Sequence, residues 1–203
     1  MSPERVVLAT GNRHKVDEVA RILVATGARV ELVGADDVGG MPGVAETGAT
    51  FAENALLKAR AVAEFSGLPA LADDSGLSVD ALNGMPGVLS ARWSGLPGAD
   101  AENTKLVLAQ LVDTPDERRG AAFVCAAVLV QPDGTEAVQR REVRGRLLRE
   151  PRGSGGFGYD PIFVPEGEER TTAELDPAAK DALSHRGRAF RALAVELGWT
   201  DET

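Results

Sequence analysis

Cysteine is nearly absent from this sequence: its 203 residues contain one, Cys125, inside the apolar run AAFVCAAVLV. An intrachain disulfide is excluded, a reducing compartment fits, and an inert core thiol explains the residue better than a nucleophile does. Long apolar runs are missing as well. Nothing approaches the roughly 20 residues of a membrane helix, and the N-terminal MSPERVVLAT has neither the basic region nor the long apolar core of a signal peptide. A cytoplasmic protein with no membrane partner is expected. There is no basic excess either, since the formal net charge is -9. That argues against nucleic acid as a general partner, but a small polyanion can still bind where a few cations converge with backbone amides or a metal. What remains is 43% hydrophobic and 26% charged, enough for a sizeable core. A single domain over residues 1–203, with two lobes, is expected.

Along the chain, helices and strands are mixed. VVLA ends at Thr10-Gly11-Asn12, and apolar spacing at Val16, Val19, Ala20 and Leu23 predicts a strand, a tight loop and a helix. Val30 to Val33 reads as a second strand, followed by a loop rich in Gly and short polar residues. Thr50 and Glu53 stand in capping-box register before a helix that should end near Ser66-Gly67. Two short apolar pieces flank Asp73-Asp74, which places the acidic pair at a strand end or at a break between strands. Ala101 to Leu111 is helical, and Ala121 to Val130 is a strand apolar on both faces, hence central. Pro132-Asp133-Gly134 turns into a more polar strand, Glu136 to Val143, so the expectation is α/β with a mixed sheet flanked by helices.

Several local conflicts point to chemistry. Arg13, His14 and Lys15 put basic groups at a helix N-terminus, where the macrodipole disfavours them and an anion would relieve the conflict. On this loop alone a phosphate site and a solvated basic turn are both open, and the glycine spacing is not that of a P-loop. The conflict recurs where His185 and Arg186 follow Ser184, a candidate N-cap. Asp73-Asp74-Ser75-Gly76 is also a good turn sequence. Adjacent carboxylates in an extended chain point to opposite faces, so at most one of them addresses a substrate. A carboxylate beside a polyphosphate needs a cation, which suggests Mg²⁺ with Glu46 as a second ligand and an aspartate as general base. Asn54 and Lys58 lie off the apolar face of the capped helix and could reach a site, but a solvated position is the better reading for both. Gly153 to Gly158 contains a formal G-x-G-x-x-G, but a strand leaves it rather than a helix, so the dinucleotide reading fails. Phe157 and Tyr159 beside Asp160 suit stacking on a base and reading its edge, or else a hinge with both rings in the core.

Taken together and in order, VVLATGNRHKVDEV, ETGATFAENALLKAR, LADDSGLSVDALNGMPGVLSARWSG, REPRGSGGFGYDPIF and AELDPAAKDALSHRGRA resemble the Ham1 or RdgB-like family of non-standard purine nucleoside triphosphate pyrophosphatases, the inosine triphosphatases. The resemblance spans nearly the whole chain. It implies a mixed α/β fold with two lobes around a central substrate cleft, a homodimer, and Mg²⁺-dependent hydrolysis of ITP, dITP or XTP to the monophosphate and pyrophosphate. Carried over by position, Thr10, Gly11, Asn12, Arg13, His14 and Lys15 would bind the triphosphate. Asp74 would be the metal-associated general base, Glu46 a further metal ligand, and Ser75 a substrate contact. Phe157, Gly158, Tyr159, Asp160, Lys180, His185 and Arg186 would enclose the nucleotide, the aromatic stacking on the purine and the polar groups reading its edge. Donors aimed at the purine C6 oxygen would leave adenine poorly paired. The basic stretch RREVRGRLLR departs from the family pattern. Two rival readings are a nucleotide-binding module without turnover and a Maf-like pyrophosphatase of other triphosphates.

Overall fold

A computed structural model describes residues 4–200, apart from the side chains of Arg13 and His14. One six-stranded sheet has the order β2-β1-β3-β4-β5-β6. Its strands are β1 (Glu4–Leu8), β2 (Val30–Gly34), β3 (Ala70–Val79), β4 (Gly120–Val130), β5 (Glu136–Leu147) and β6 (Phe163–Pro165). The helices are α1 (Arg13–Ala25), α2 (Phe51–Ser66), α3 (Asp100–Gln110), α4 (Pro177–Leu183) and α5 (His185–Glu196). Strand β1 pairs parallel with β2 and β3, whereas β5 and β6 are antiparallel, so the sheet is mixed as expected. Every residue of β4 from Ala121 to Val130 is buried, in keeping with its interior place in the order. Among the described residues, no helix is long and apolar enough to cross a membrane.

The chain divides into two compact units. The first comprises Met1–Asp74, Cys125–Arg141 and Arg186–Thr203, and the second Ser75–Val124 and Glu142–His185. In the first unit, strand alternation sends side chains to two separate cores. Val6, Leu8, Leu71, Cys125 and Leu129 pack with α1 residues Val19 and Ile22 and α5 residues Phe190 and Leu193. Val7, Ala9, Ala70, Ala72 and Val128 pack against Ala55, Ala59, Val62 and Ala63 of α2. The small residues on both sides of that second contact let the helix lie close to the strands. Helix α2 starts as expected, with Thr50 Oγ1 accepting from the Glu53 amide at 3.2 Å. The Glu53 carboxylate reaches back one residue further than a standard capping box, accepting from the Ala49 amide at 2.6 Å.

In the second unit, Leu77, Val107, Leu111, Phe123, Val143, Ile162 and Phe163 form the core. Arg119, 2% exposed, is built into it. Its guanidinium donates to the carbonyls of Leu111 at 2.7 Å, Leu147 at 3.0 Å and Leu148 at 2.8 Å, and so closes the C-terminal end of α3 with a cation where the dipole favours one.

One sequence expectation fails here. The acidic pair is not at a strand end or break: β3 runs unbroken for 10 residues with Asp73 and Asp74 inside it. The glycine of Asp73-Asp74-Ser75-Gly76 serves close approach, since a Cβ on Gly76 would collide with Ser90 and with the Gly87 carbonyl, at 2.6 Å from its oxygen. An acidic pair can stay inside the strand because buried cations meet both carboxylates there.

Candidate active site

Strand parity separates the two aspartates. Leu71 belongs to the α1/α5 core while Ala70 and Ala72 belong to the α2 core, so Asp73 shares the face of Leu71 and Asp74 that of Ala72. Asp73 is 3% exposed, and its Oδ2 accepts from Lys15 Nζ at 3.2 Å and from Arg186 Nε and Nη2 at 3.2 and 3.1 Å. Arg186 Nη1 continues to Glu18 Oε2 at 2.8 Å. These are two cations and two carboxylates, packed where burial alone would neutralise them. Burial works to lower the guanidinium pKa, but Asp73 and Glu18 outweigh it and raise it, so Arg186 stays charged. Arg186, expected to help enclose the nucleotide, bonds Asp73 and Glu18 here.

Asp74 turns to α2. Lys58 Nζ donates to Asp74 Oδ1 at 3.1 Å and to Glu46 Oε1 at 3.1 Å, and Asn54 Nδ2 lies 3.5 Å from Asp74 Oδ2. Asn54 is fully buried and Lys58 is 8% exposed, which corrects the expected solvated position. The polar face of α2 is covered because two carboxylates converge on its lysine. Burial raises the Asp74 carboxyl above its ordinary value, Lys58 and Lys15 oppose the rise, and Glu46 adds to it. For Lys58, burial lowers the pKa but Asp74, Asp73 and Glu46 together prevail and raise it. One ammonium among three carboxylates gains from each of them, while Asp74 must bear both burial and a like-charged neighbour.

The first loop prepares the start of α1. Asn12 Oδ1 accepts from the Lys15 amide at 3.3 Å as a helix cap, and Thr10 Oγ1 accepts from the Asn12 amide at 3.1 Å. Gly11 and Asn12 are exposed and Thr10 half-buried. The side chains of Arg13 and His14 lie outside the described residues. Ser75, next to Asp74 on β3, is half-buried.

A second cluster belongs to the second unit. Asp160, 4% exposed, takes Lys180 Nζ at 2.6 Å and the Phe157 amide at 2.8 Å on Oδ2, and the Thr172 hydroxyl at 2.8 Å on Oδ1. The Lys180 ammonium also stands 4.9 Å from the centre of the half-buried Phe157 ring. The His185 ring stacks on Phe123, with centroids 4.9 Å apart and planes at 13°. Tyr159 goes the other way: its ring lies in the core and its hydroxyl donates to the Ser90 carbonyl at 2.8 Å. Of the two rings in the loop, Tyr159 is thus part of the core and Phe157 is half-buried. A depression beside this cluster is lined by Phe123, Asp160, Thr172, Lys180, Ser184 and His185.

Sequence reasoning passed over Glu18, Phe123 and Thr172. Glu18 carried a usable signal, because it lies four residues before Ile22 on the apolar face of α1, where a charge needs a partner. Phe123 and Thr172 carried none, since their roles depend on partners 62 and 12 residues away.

Ham1 family sequences match this chain over residues 6–196. The chain belongs to the Ham1 family. It is 61% identical over 198 residues to a protein of Nocardia farcinica named dITP/XTP pyrophosphatase, covering 97% of this chain and 96% of that protein. A Streptomyces coelicolor protein of the same name is 59% identical over 189 residues, covering 93% of this chain and 94% of that one. Among solved structures, a HAM1 protein from Coxiella burnetii superposes with a TM-score of 0.86 at 42% identity, covering 96% of this chain and 98% of the other. A Mycobacterium abscessus structure described as nucleoside-triphosphatase / dITP/XTP pyrophosphatase gives 0.76 at 57% identity, covering 93% and 98%. The Ham1 fold is thus the mixed α/β arrangement seen here.

Proposed function

We propose that this chain hydrolyses non-standard purine nucleoside triphosphates, ITP, dITP and XTP, to the monophosphate and pyrophosphate, and so cleanses the nucleotide pool. The observation that carries the reading is Asp74: a buried carboxylate, raised in pKa, with Lys58 3.1 Å from one oxygen, in a chain related over its length to proteins named for this activity. Lys58 keeps Oδ1 anionic. Oδ2, held only loosely by Asn54 at 3.5 Å, is then the atom to accept a proton from the attacking water, as a general base must. Lys15, set by Asp73 and by the capped start of α1, supplies positive charge to phosphate oxygens beside helix amides.

The residues fit magnesium. Glu46 and Asp74 already aim hard oxygen donors at one cationic centre, the Lys58 ammonium, and Mg²⁺ needs only one or two carboxylates besides phosphate and water. Among the described residues no group of three acidic, histidine or cysteine side chains is assembled to hold a metal. Glu46 and Asp74 would hold the ion, which when bound would neutralise phosphate charge and polarise the phosphoryl group. In the second unit, Phe157 offers a stacking face, and Lys180, fixed by Asp160, offers a donor suited to an oxygen at purine C6. Adenine, with an amino group there, would leave that donor unpaired. A homodimer in the cytoplasm, with neither nucleic acid nor membrane as partner, completes the proposal.

The test is pyrophosphate release from ITP, XTP, dITP, GTP, ATP and dUTP, with and without Mg²⁺, on wild type and Asp74→Asn. Mg²⁺-dependent release from ITP, dITP and XTP, lost in the variant, is expected. Equal turnover of ATP and ITP would sink the specificity, and an active Asp74→Asn protein would sink the mechanism. A solution mass measurement checks the dimer.

A further inference from the structure

The loop that carries Phe157 and Asp160 is gripped by helix α3. The amide of Gly158 donates to Oδ2 of Asp100 at 2.7 Å, and the carbonyl of Gly158 accepts from the Thr104 hydroxyl at 3.3 Å. Asp100 opens α3 and Thr104 stands one turn later, so the two share a helix face. Both polar groups of one residue are therefore taken by one rigid surface. This fixes the peptide planes on either side of Gly158, and with them the directions of its neighbours.

Those neighbours diverge. Tyr159 is anchored in the core through Ser90, whereas Phe157 is half-buried with the Lys180 ammonium over its ring. Gly158 is the pivot between them. Its φ of 61° is left-handed, and a Cβ there would meet nothing within 4 Å. Glycine is thus required by the backbone conformation rather than by crowding. Helix α3 has no side-chain cap on Ala99. Its Asp100 carboxylate sits at the positive end of the helix, where it is favoured, and accepts from the loop.

From this geometry we infer that Asp100 and Thr104 are positioning residues for base selectivity: by clamping Gly158 they hold Phe157 and Asp160 in the one orientation that discriminates the purine. The inference rests on the function proposed above. Neither residue is a catalytic residue. Their contribution belongs to binding of the base, so their loss should raise KM and blur the preference for ITP over ATP while leaving kcat near the wild-type value.

Steady-state kinetics with ITP and ATP on the full-length chain test this, with Asp100→Ala, Thr104→Val and the double variant set beside Asp100→Asn and Thr104→Ser. Each truncation should raise KM for ITP about fivefold, as expected for one lost hydrogen bond, and lower the ITP to ATP ratio of kcat/KM in step. Asp100→Asn and Thr104→Ser, which keep an acceptor and a hydroxyl, should restore both values, and the Gly158 amide should exchange with solvent faster in Asp100→Ala than in wild type. Asp100 is exposed, so Asp100→Ala should remain folded even if the double variant does not. A wild type that turns over ITP, together with an Asp100→Ala protein of unchanged KM, selectivity and Gly158 exchange, would overturn the clamp alone. A wild type that releases no pyrophosphate from ITP would overturn the proposed function and this inference with it.

Discussion

The ammonium of Lys58 lies 3.1 Å from Oδ1 of Asp74, and both residues are buried. This pair sets the protonation of the candidate base. Burial raises the Asp74 carboxyl and Lys58 is the largest influence holding it down, so Lys58→Met should raise it further. The base must be ionised to work, hence the acid limb of the kcat/KM profile should move to higher pH in the variant. An unmoved limb would remove Lys58 from the mechanism. Because the Asp74 carboxyl is raised on folding, its contribution to stability is greatest below its unfolded pKa and is lost as pH rises through the folded value.

Asp73 and Asp74 should separate by assay. Asp74→Asn removes the proposed base and should lower kcat by about 10²-fold or more, with the smaller change in denaturant midpoint, because burial already disfavours the Asp74 carboxylate, the Asp74 and Lys58 side chains each keep 11% exposure against 1% and 3% for Asp73 and Arg186, and Asp73 holds Lys15 as well as Arg186. Asp73→Asn leaves the buried Arg186 with Glu18 as its remaining described carboxylate, and losing one partner of a buried ion pair costs about 3–5 kcal/mol. Asp73→Asn should therefore be the less stable variant and Asp74→Asn the less active. Urea titration and pyrophosphate release decide it, and the opposite order would refute the division.

Cys125 should be silent. It is fully buried, and burial, helped by Asp73, pushes its thiol pKa up, so little thiolate exists at neutral pH. A chromogenic thiol reagent should find about no reactive group in the native protein and one per chain in denaturant. Rapid reaction of the native protein, with loss of activity, would show that the thiol is accessible.

Lys180→Met should strike selectivity. It removes the cation from Asp160, 2.6 Å away, and from above Phe157. The ITP to ATP ratio of kcat/KM should fall about tenfold or more. A preserved ratio would place base reading elsewhere.

Local pattern made much of the fold legible. The Thr50 cap, the apolar run of β4 and the turn at Pro132-Asp133-Gly134 came from residues a few positions apart, and each stands where spacing put it. Asp73-Asp74 instead lies within β3, because Lys15, Lys58 and Arg186, distant along the chain, neutralise the pair there. The buried position of Lys58 escapes local pattern for the same reason.

That the two aspartates are unequal can be read from their adjacency alone, since alternation along a strand sends neighbouring side chains to opposite faces whatever surrounds them. The sequence also carries, through motifs spread over the whole chain, the membership of the Ham1 family. What each aspartate meets is set by the fold: Asp73 a buried arginine from 113 residues away, Asp74 a lysine and an asparagine on α2. Alternation is a property of the local backbone. A buried charge is held by whichever opposite charge the fold delivers to it, and no short stretch of sequence encodes that partner.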